Sequence, residues 1–387
     1  MVTRLRVNRK GFKRLAFGHL WVYQNEIENP KPELSGTIVG IENPDKEFVG
    51  QGFYNHHSKI AFRVLSRSPE AIGRDFFVNL IRSAIKRRAG KISRQSALRL
   101  VNAEGDLFPG LIADWYAGHL VIQCLIPGTE RLFEMIADIF WEELKPDSIW
   151  FRNDGGGREM EGLPEDKYFW KGVDDPRVVI EEQGLKFAVN LMEGHKTGLY
   201  LDQAENRVRA SEFARGRCLD AFSYQGGFAL HLSKKAQEVI AVDSSVPALA
   251  VLEKNLELND IRNVKVVREN IFDLLPEMER EKLGFDLIVM DPPPFARSKK
   301  DFKNARRGYY EVNRRALTLL NPGGILLSYS CSFHFSLSDL IDTLRSAMGD
   351  TGRRGRLLEI HTQAKDHPIL MNVPESWYLK GVVLEVD

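Results

Sequence analysis

Phe285-Asp-Leu-Ile-Val-Met-Asp-Pro-Pro-Pro-Phe295 sets an acid and three prolines directly behind an apolar run. The run reads as a buried strand, and the prolines, which cannot continue a ladder, end it. A second run, Gly324-Ile-Leu-Leu-Ser-Tyr329, comes one predicted helix later and leads into Ser330-Cys331-Ser332. Two successive parallel strands deliver the residues behind them to the same carboxyl edge of a sheet, and that edge is where open α/β sheets bind ligands. Asp291 and Cys331 are therefore expected side by side.

Working outward, strands are read at 217–222, 238–243, 264–269, 285–291, 324–330, 356–363 and 377–385, with helices between most of them. That alternation predicts a doubly wound, mostly parallel α/β sheet. Ahead of it, 178–183 and 185–191 form a hairpin around Gln183-Gly184. A helix at 74–89, a strand at 120–126, a helix at 130–144 and a strand at 148–152 give a middle α/β domain. Earlier still, short strands at 35–41, 47–54 and 60–65, parted by Asn-Pro-Asp and Asn-His-His turns, read as a small β domain. The expected domains are 1–70, 71–176, a linking hairpin 177–196, and 197–387. Asp154-Gly-Gly-Gly-Arg158 lacks the Lys-Ser/Thr of a phosphate loop and reads as a plain loop.

With 43% hydrophobic and 28% charged residues among 387, the composition is that of a globular protein. Residues 1–14 are basic without the apolar stretch of a signal peptide, and no run approaches the ~18 apolar residues of a membrane helix, so a cytoplasmic protein without membrane association is expected. Three cysteines are too few and too scattered for a disulfide framework or a metal cluster, and Cys124 and Cys218 read as small buried residues.

The net charge of +1 says nothing about nucleic acid, but its distribution does. No acid precedes Glu26, while Arg4, Arg6, Arg9, Lys10, Lys13 and Arg14 crowd the start; Lys10 and Arg14 are candidate RNA contacts. Arg82, Lys86, Arg87, Arg88, Lys91, Arg94 and Arg99 form a second basic run, and residues 297–307 a third. If they converge they make a phosphate-binding surface; otherwise they are solvated faces with counter-charges elsewhere.

The first strand of the doubly wound sheet ends in Asp220-Ala-Phe222-Ser223-Tyr-Gln-Gly226-Gly227, and the second ends in Asp243-Ser244, with Asp243 lying 17 residues after Gly226. Glycines let a ligand approach the backbone, and an acid at the second strand suits a ribose diol. These elements imply a nucleoside cofactor. The dinucleotide spacing G-x-G-x-x-G is absent. Together with Asn270-Ile271 after the third strand and Asp291-Pro-Pro after the fourth, the set resembles class I S-adenosylmethionine-dependent methyltransferases. The resemblance implies that Asn270 meets the adenine edge and Asp243 the ribose; Asn270 could equally be a helix N-cap.

Carbon 5 of cytosine is a poor nucleophile until a thiolate adds to carbon 6. Cys331 suits that attack, and Asp291 suits a grip on the polar edge of the ring, with Pro292, Pro293 and Phe295 lining the base. The rival reading of Cys331 is a buried structural cysteine.

Over nearly its whole length the chain resembles the RlmI-type bacterial 23S ribosomal RNA cytosine-5 methyltransferases. The matching pieces are His195-Lys-Thr-Gly-Leu-Tyr200-Leu-Asp-Gln203 with Arg207, Phe222-Ser-Tyr224, Asp291-Pro-Pro, Arg307-Gly-Tyr309, Ser330-Cys-Ser332, Asp366-His-Pro368 and Tyr378-Leu-Lys-Gly381. Arg9-Lys-Gly11, Gly18-His-Leu-Trp21 and Gly50-Gln-Gly-Phe-Tyr54 match the RNA-binding PUA barrel. The resemblance implies a PUA domain, a middle α/β domain, a Rossmann-like methyltransferase domain, S-adenosylmethionine as cofactor, ribosomal RNA as partner, often a homodimer, and Cys331 as nucleophile. Tyr200, Gln203 and Arg207 are candidate cofactor contacts, though Lys196 and Arg207 could instead meet RNA phosphate. His195, His334 and His367 read as hydrogen-bonding or RNA-contact residues rather than bases.

Pro294 departs from the family, which more often has Lys there. Asp-Pro-Pro-Pro-Phe therefore also resembles the signature of exocyclic-amine methyltransferases, in which an aromatic, here Phe295, stacks on the base. A non-catalytic RNA-binding assembly factor is the rival from another class.

Overall fold

The structure is a computed structural model that describes residues 3–155, 157–194, 196–295 and 301–387. Its chain divides into two compact units, the first comprising Met1–Ile180, Val189–Leu199 and Asp366–Ser376, the second Glu181–Ala188, Tyr200–Lys365 and Trp377–Asp387.

The first unit opens with β1 (Arg4–Arg6), α1 (Arg9–Ala16), β2 (Trp21–Val22), β3 (Ile38–Glu42), β4 (Phe48–Tyr54) and β5 (Phe62–Ser66). The strands form one sheet in the order β1-β3-β4-β5-β2 around Leu5, Val22, Ile41 and Phe62. β1 and β2 are too short to carry a readable alternation, so the sequence announces only the three longer strands. A second sheet comes next, built from α2 (Arg74–Arg87), β6 (Ala97–Asn102), β7 (Leu111–Tyr116), β8 (His119–Cys124), α3 (Pro127–Glu130), α4 (Phe133–Leu144), β9 (Ser148–Arg152) and β10 (Lys167–Gly172), in the order β10-β9-β8-β7-β6. Phe77, Ile81, Ile136 and Phe140 from α2 and α4 belong to its apolar core.

The second basic run is largely neutralised here. Arg82 pairs with Glu143, Arg87 and Arg88 with the fully buried Asp106, Arg94 with Asp147, and Arg99 with Asp114. Of the two readings for this run, the arginines thus follow the one with counter-charges supplied from elsewhere in the chain. Arg14 is likewise engaged, on the buried Glu26 at 2.7 Å, whereas Lys10 is exposed. Arg158, at the end of the glycine-rich loop, is fully buried and bonds Glu130 and the carbonyl of Pro164.

The hairpin β11 (Arg177–Glu182) and β12 (Leu185–Asn190) carries the division between the units. Beyond it lie α5 (Ala204–Phe213), β13 (Arg217–Asp220), α6 (Gly227–Ser233), β14 (Glu238–Asp243), α7 (Val246–Leu258), β15 (Val264–Arg268), α8 (Ile271–Arg280), β16 (Phe285–Met290), α9 (Phe302–Leu319), β17 (Leu320–Ser330), α10 (Leu337–Thr351), β18 (Gly355–Thr362) and β19 (Lys380–Val386). Seven strands stand in the order β15-β14-β13-β16-β17-β19-β18, parallel from β15 to β17, with β19 antiparallel to both neighbours. This is the doubly wound sheet that the sequence predicts. Met290 pairs with Ser328 across β16 and β17, so Asp291 and Cys331 leave the same edge. Among the described residues no helix is long and apolar enough to cross a membrane.

β19 passes so close beneath the Tyr329 ring that a Cβ on Gly381 would sit 2.4 Å from it and 3.1 Å from the His361 Cβ. Overpacking of this kind costs about 1–3 kcal/mol. Gly381→Ala is therefore expected to lower the urea midpoint of this unit by a corresponding amount; an unchanged midpoint would show that β19 can draw back.

Candidate active site

The site is built at the carboxyl ends of β13, β14, β16 and β17. Past β13 the chain turns through Ser223 to Gly227, with Tyr224 at φ +49° and Gly226 at φ +84°, before α6 begins. A Cβ at Gly226 would also meet Leu230 and Leu252 at 2.8 Å, so the turn requires glycine. Asp243, at the end of β14, accepts hydrogen bonds from the Tyr224 N–H at 2.9 Å and the Ser245 N–H at 2.8 Å, which fixes its carboxylate beside the turn.

Asp220 is buried, and one oxygen accepts the Ala229 N–H at 2.9 Å. Among the described residues the other oxygen has no hydrogen-bond partner, and neither has the buried Ser223 hydroxyl. Burial pushes the Asp220 carboxyl up to about 8; the Ala229 bond opposes this, and the charges of Asp291 and Asp243 add to it. Unpartnered buried acceptors are costly and rare in folded proteins. A bound molecule with donors and positive charge would satisfy both, so the donor set fits a cationic, amine-bearing cofactor.

Asn270 caps α8, its side-chain oxygen accepting the Phe272 N–H at 3.0 Å, which is the capping alternative for this residue. Ile271 lies in the core, and Ser244 is exposed beside the cap of α7. Phe222 packs partly buried against the same core.

Asp291 is held by the Gln203 side-chain amide at 3.0 Å. The Cys331 thiol, partly exposed, lies 4.0 Å from the Pro292 carbonyl oxygen, so acid motif and thiol do form one site. Tyr200 meets Tyr224 edge-on, with ring centroids 5.2 Å apart; burial pushes its hydroxyl pKa up, and the charges of Asp291 and Cys331 act on it in the same sense. Pro292 is buried and Pro293 exposed. Phe295 packs its ring on Tyr309 at 4.7 Å and on Phe272 at 5.9 Å.

Three residues to which the sequence reading gave no role in the site organise this edge. The buried Tyr309 hydroxyl accepts a hydrogen bond from Ser330 at 2.9 Å and lies 3.0 Å from the Ser332 hydroxyl, clamping both neighbours of Cys331. Glu182 takes two bonds from Arg207, at 2.8 and 2.6 Å, and lies 2.9 Å from His231. Lys380 donates to the Ser332 carbonyl at 3.0 Å. Each partner lies 21 or more residues away in sequence, beyond any local pattern. Arg207 is fully buried under the turn, its side chain within 2.8 Å of a Cβ placed on Gly227, and it also bonds the Tyr200 carbonyl at 2.7 Å. Its guanidinium thus faces Glu182 and the backbone.

Of the histidines, His367 is buried in the first unit on Asp366 at 2.8 Å, His334 packs edge-on to Phe333, and His195 lies outside the described residues. The third basic run is described from Lys303 onward. Lys303, Arg306 and Arg307 line a cleft of about 280 Å³ between α9 and α10, while Arg315 further along α9 pairs with Glu279 and Glu311.

Residues 5–67 match the PUA-like domain family, and residues 99–344 match the S-adenosylmethionine-dependent methyltransferase family. The chain is 38% identical over 382 residues to ribosomal RNA large subunit methyltransferase I of Aeromonas hydrophila, covering 96% of each, and 39% identical over 397 residues to the protein of that name from Tolumonas auensis, covering 99% of each. In fold it is similar to a methyltransferase crystallised with SAH (TM-score 0.86, 21% identity, 99% of this chain and 100% of the other) and to a SAM-dependent methyltransferase from Streptococcus mutans (TM-score 0.84, 20% identity, 99% and 100%).

Burial alone would raise the Glu182 carboxyl, but the Arg207 charge and the bonds from His231 and Arg207 override it and hold it at about 2. A depressed carboxylate stabilises above its unfolded pKa, so this contribution is full above about 4.5 and is lost as pH falls towards about 2. Glu182→Ala leaves Arg207 buried without its partner, and breaking such a pair costs about 3–5 kcal/mol. Urea unfolding at pH 7 is expected to register a loss of that size, diminishing towards pH 2; a loss below about 1 kcal/mol, the range of an exposed pair, would show that Glu182 does not anchor the turn.

Proposed function

The chain belongs to the S-adenosylmethionine-dependent methyltransferase family that includes the ribosomal RNA large subunit methyltransferases I, and on that premise we propose that it makes 5-methylcytidine in large-subunit (23S) ribosomal RNA in the cytoplasm. The observation that carries the reading is the Cys331 thiol within 4.0 Å of the Pro292 carbonyl, on the sheet edge where Gln203 fixes Asp291.

When bound, S-adenosylmethionine supplies an electrophilic methyl group on a sulfonium. Asp220 and Ser223, with their unpartnered buried oxygens, would hold its polar groups, Asp243 its ribose, and the Gly226-Gly227 turn its closest approach. Asn270, with its side-chain oxygen capping α8, keeps its amide nitrogen as the candidate for the adenine. Arg207 acts as a positioning residue, setting Tyr200 and the turn from below.

The Cys331 thiolate adds to carbon 6 of the base: the S–C6 bond forms and the C5–C6 pair moves onto carbon 5, making it nucleophilic. Asp291, as the protonated acid, donates its hydrogen to nitrogen 3 and accepts from the amino group, so that the proton it shares offsets the negative charge placed on the ring. Once carbon 5 carries the methyl group, its proton leaves to solvent or a base; that electron pair restores the double bond as the S–C6 bond breaks and the thiolate returns. The base must leave its stack to reach Cys331. Lys303, Arg306 and Arg307 on α9 supply phosphate contacts for the strand that carries it. Phe295, its ring committed to Tyr309 and Phe272, is poorly placed to stack on a base as the exocyclic-amine reading requires.

Incubation with labelled S-adenosylmethionine and unmodified large-subunit RNA, followed by digestion to nucleosides, tests this. Wild type is expected to yield 5-methylcytidine, and Cys331→Ala to lose at least a thousandfold of that activity while binding the cofactor normally; labelled methyladenosine or methylguanosine, or an active Cys331→Ala, would overturn the cysteine mechanism. Because Asp220 titrates near 8 without ligand, a cationic cofactor is expected to expel its proton at pH 7. Binding heats measured in two buffers of different ionisation enthalpy should differ for wild type and coincide for Asp220→Asn; coincidence in wild type would remove Asp220 from the cation's surroundings.

A further inference from the structure

Lys380 is a buried lysine of this sheet edge whose charge the methyl-transfer chemistry leaves unexplained. It begins β19 opposite Ser330 of β17, is 5% exposed, and donates to two carbonyl oxygens, of Ser332 at 3.0 Å and of Tyr378 at 3.1 Å. Among the described residues no carboxylate lies within ion-pair distance of it. A buried ammonium without an acid is unfavourable, and lysine is rarely found so.

We propose that Lys380 is the positioning residue that holds Cys331 as a thiolate, its ammonium lying under the Ser330-Cys331-Ser332 segment and acting on the sulfur through charge. The proposal rests on the reading of Cys331 as the nucleophile. Among the described residues, the acid and phenols around the thiol do not favour its ionisation: Asp291 from the end of β16 is an acid, and Tyr200 and Tyr309 are phenols whose pKa values burial raises. Asp339, in the first turn of α10, is the other acid that acts on Lys380, and its carboxylate is committed to the Ser336 N–H and hydroxyl. Among the described residues, Lys380 is therefore a buried cation on this edge whose charge favours the thiolate. Burial lowers the Lys380 pKa to about 8, while the charge of Cys331, and after it that of Asp339, opposes the fall; at pH 7 the lysine is mostly charged.

An opposite charge within about 4–6 Å lowers a pKa by about 1–3 units. Cys124 and Cys218 are fully buried, so alkylation of the full-length protein by iodoacetamide reports Cys331, with Cys331→Ala as the blank. The midpoint of the pH–rate profile is expected below the ordinary cysteine value of about 8.5 in wild type, to rise by about one unit or more in Lys380→Met, and to return towards wild type in Lys380→Arg. A midpoint unmoved in a Lys380→Met protein that still binds S-adenosylmethionine would overturn the proposal. Should Lys380→Met not fold, the reciprocal measurement decides: the Lys380 ammonium, tracked by lysine-selective NMR, is expected to titrate lower in Cys331→Ser than in wild type, and identical titrations would overturn it. Both readouts report the thiol and the lysine, not the product, so failure of the pairing is separable from failure of the cytidine reading.

Discussion

The parallel pairing of β16 with β17, Met290 beside Ser328, is the constraint on which the rest depends. Two strands that end in register bring their trailing segments to one place, here Asp-Pro-Pro-Pro behind β16 and Ser-Cys-Ser at the end of β17. A slip of two residues would carry the thiol about 7 Å along the strand, out of reach of the Pro292 carbonyl. The register is held from both sides, by the core residues Ile288, Leu326 and Leu384 and by β19, which pairs with β17 over seven residues from Gly324↔Val386 to Ser330↔Lys380.

Around that edge the protein arranges buried charge unevenly. Under the glycine turn, Glu182, Arg207 and His231 satisfy one another and make a rigid floor. Above it, Asp220 keeps an oxygen without a partner, and Lys380 keeps a charge without an acid among the described residues. The satisfied cluster serves geometry. The unsatisfied groups lie where a cationic cofactor and a reactive sulfur are proposed, and there a prior internal partner would cancel the interaction the chemistry needs.

Much of this is legible in the chain because it is local. A strand with its motif immediately behind it places Asp291, Cys331, Asp220 and Asp243 without knowledge of the tertiary structure, and the glycine at 226 signals its own positive φ. The identity of distant partners is not legible in the same way. Arg207 reads as facing the cofactor because its neighbours Tyr200 and Gln203 do point to the site; the acid that claims it lies 25 residues back, on the hairpin. The arginines between 82 and 99 read either as a phosphate-binding face or as one with counter-charges elsewhere, and Glu143, Asp106, Asp147 and Asp114 neutralise them, all four acids lying 15 to 61 residues away. Tyr309 and Lys380 belong to matched motifs, but only the fold brings them to the cysteine.

The central claim is that the Cys331 sulfur bonds carbon 6 of a cytosine during turnover, and it can be met directly by giving the protein S-adenosylmethionine and large-subunit RNA that carries 5-fluorocytidine. Fluorine at carbon 5 cannot leave as a proton does, so an adduct formed by this route persists. Protease and nuclease digestion and then mass spectrometry should find a methylated fluorocytidine on the peptide that contains Cys331. An RNA that is methylated normally when unsubstituted, yet leaves no adduct on that peptide when fluorinated, would contradict the account.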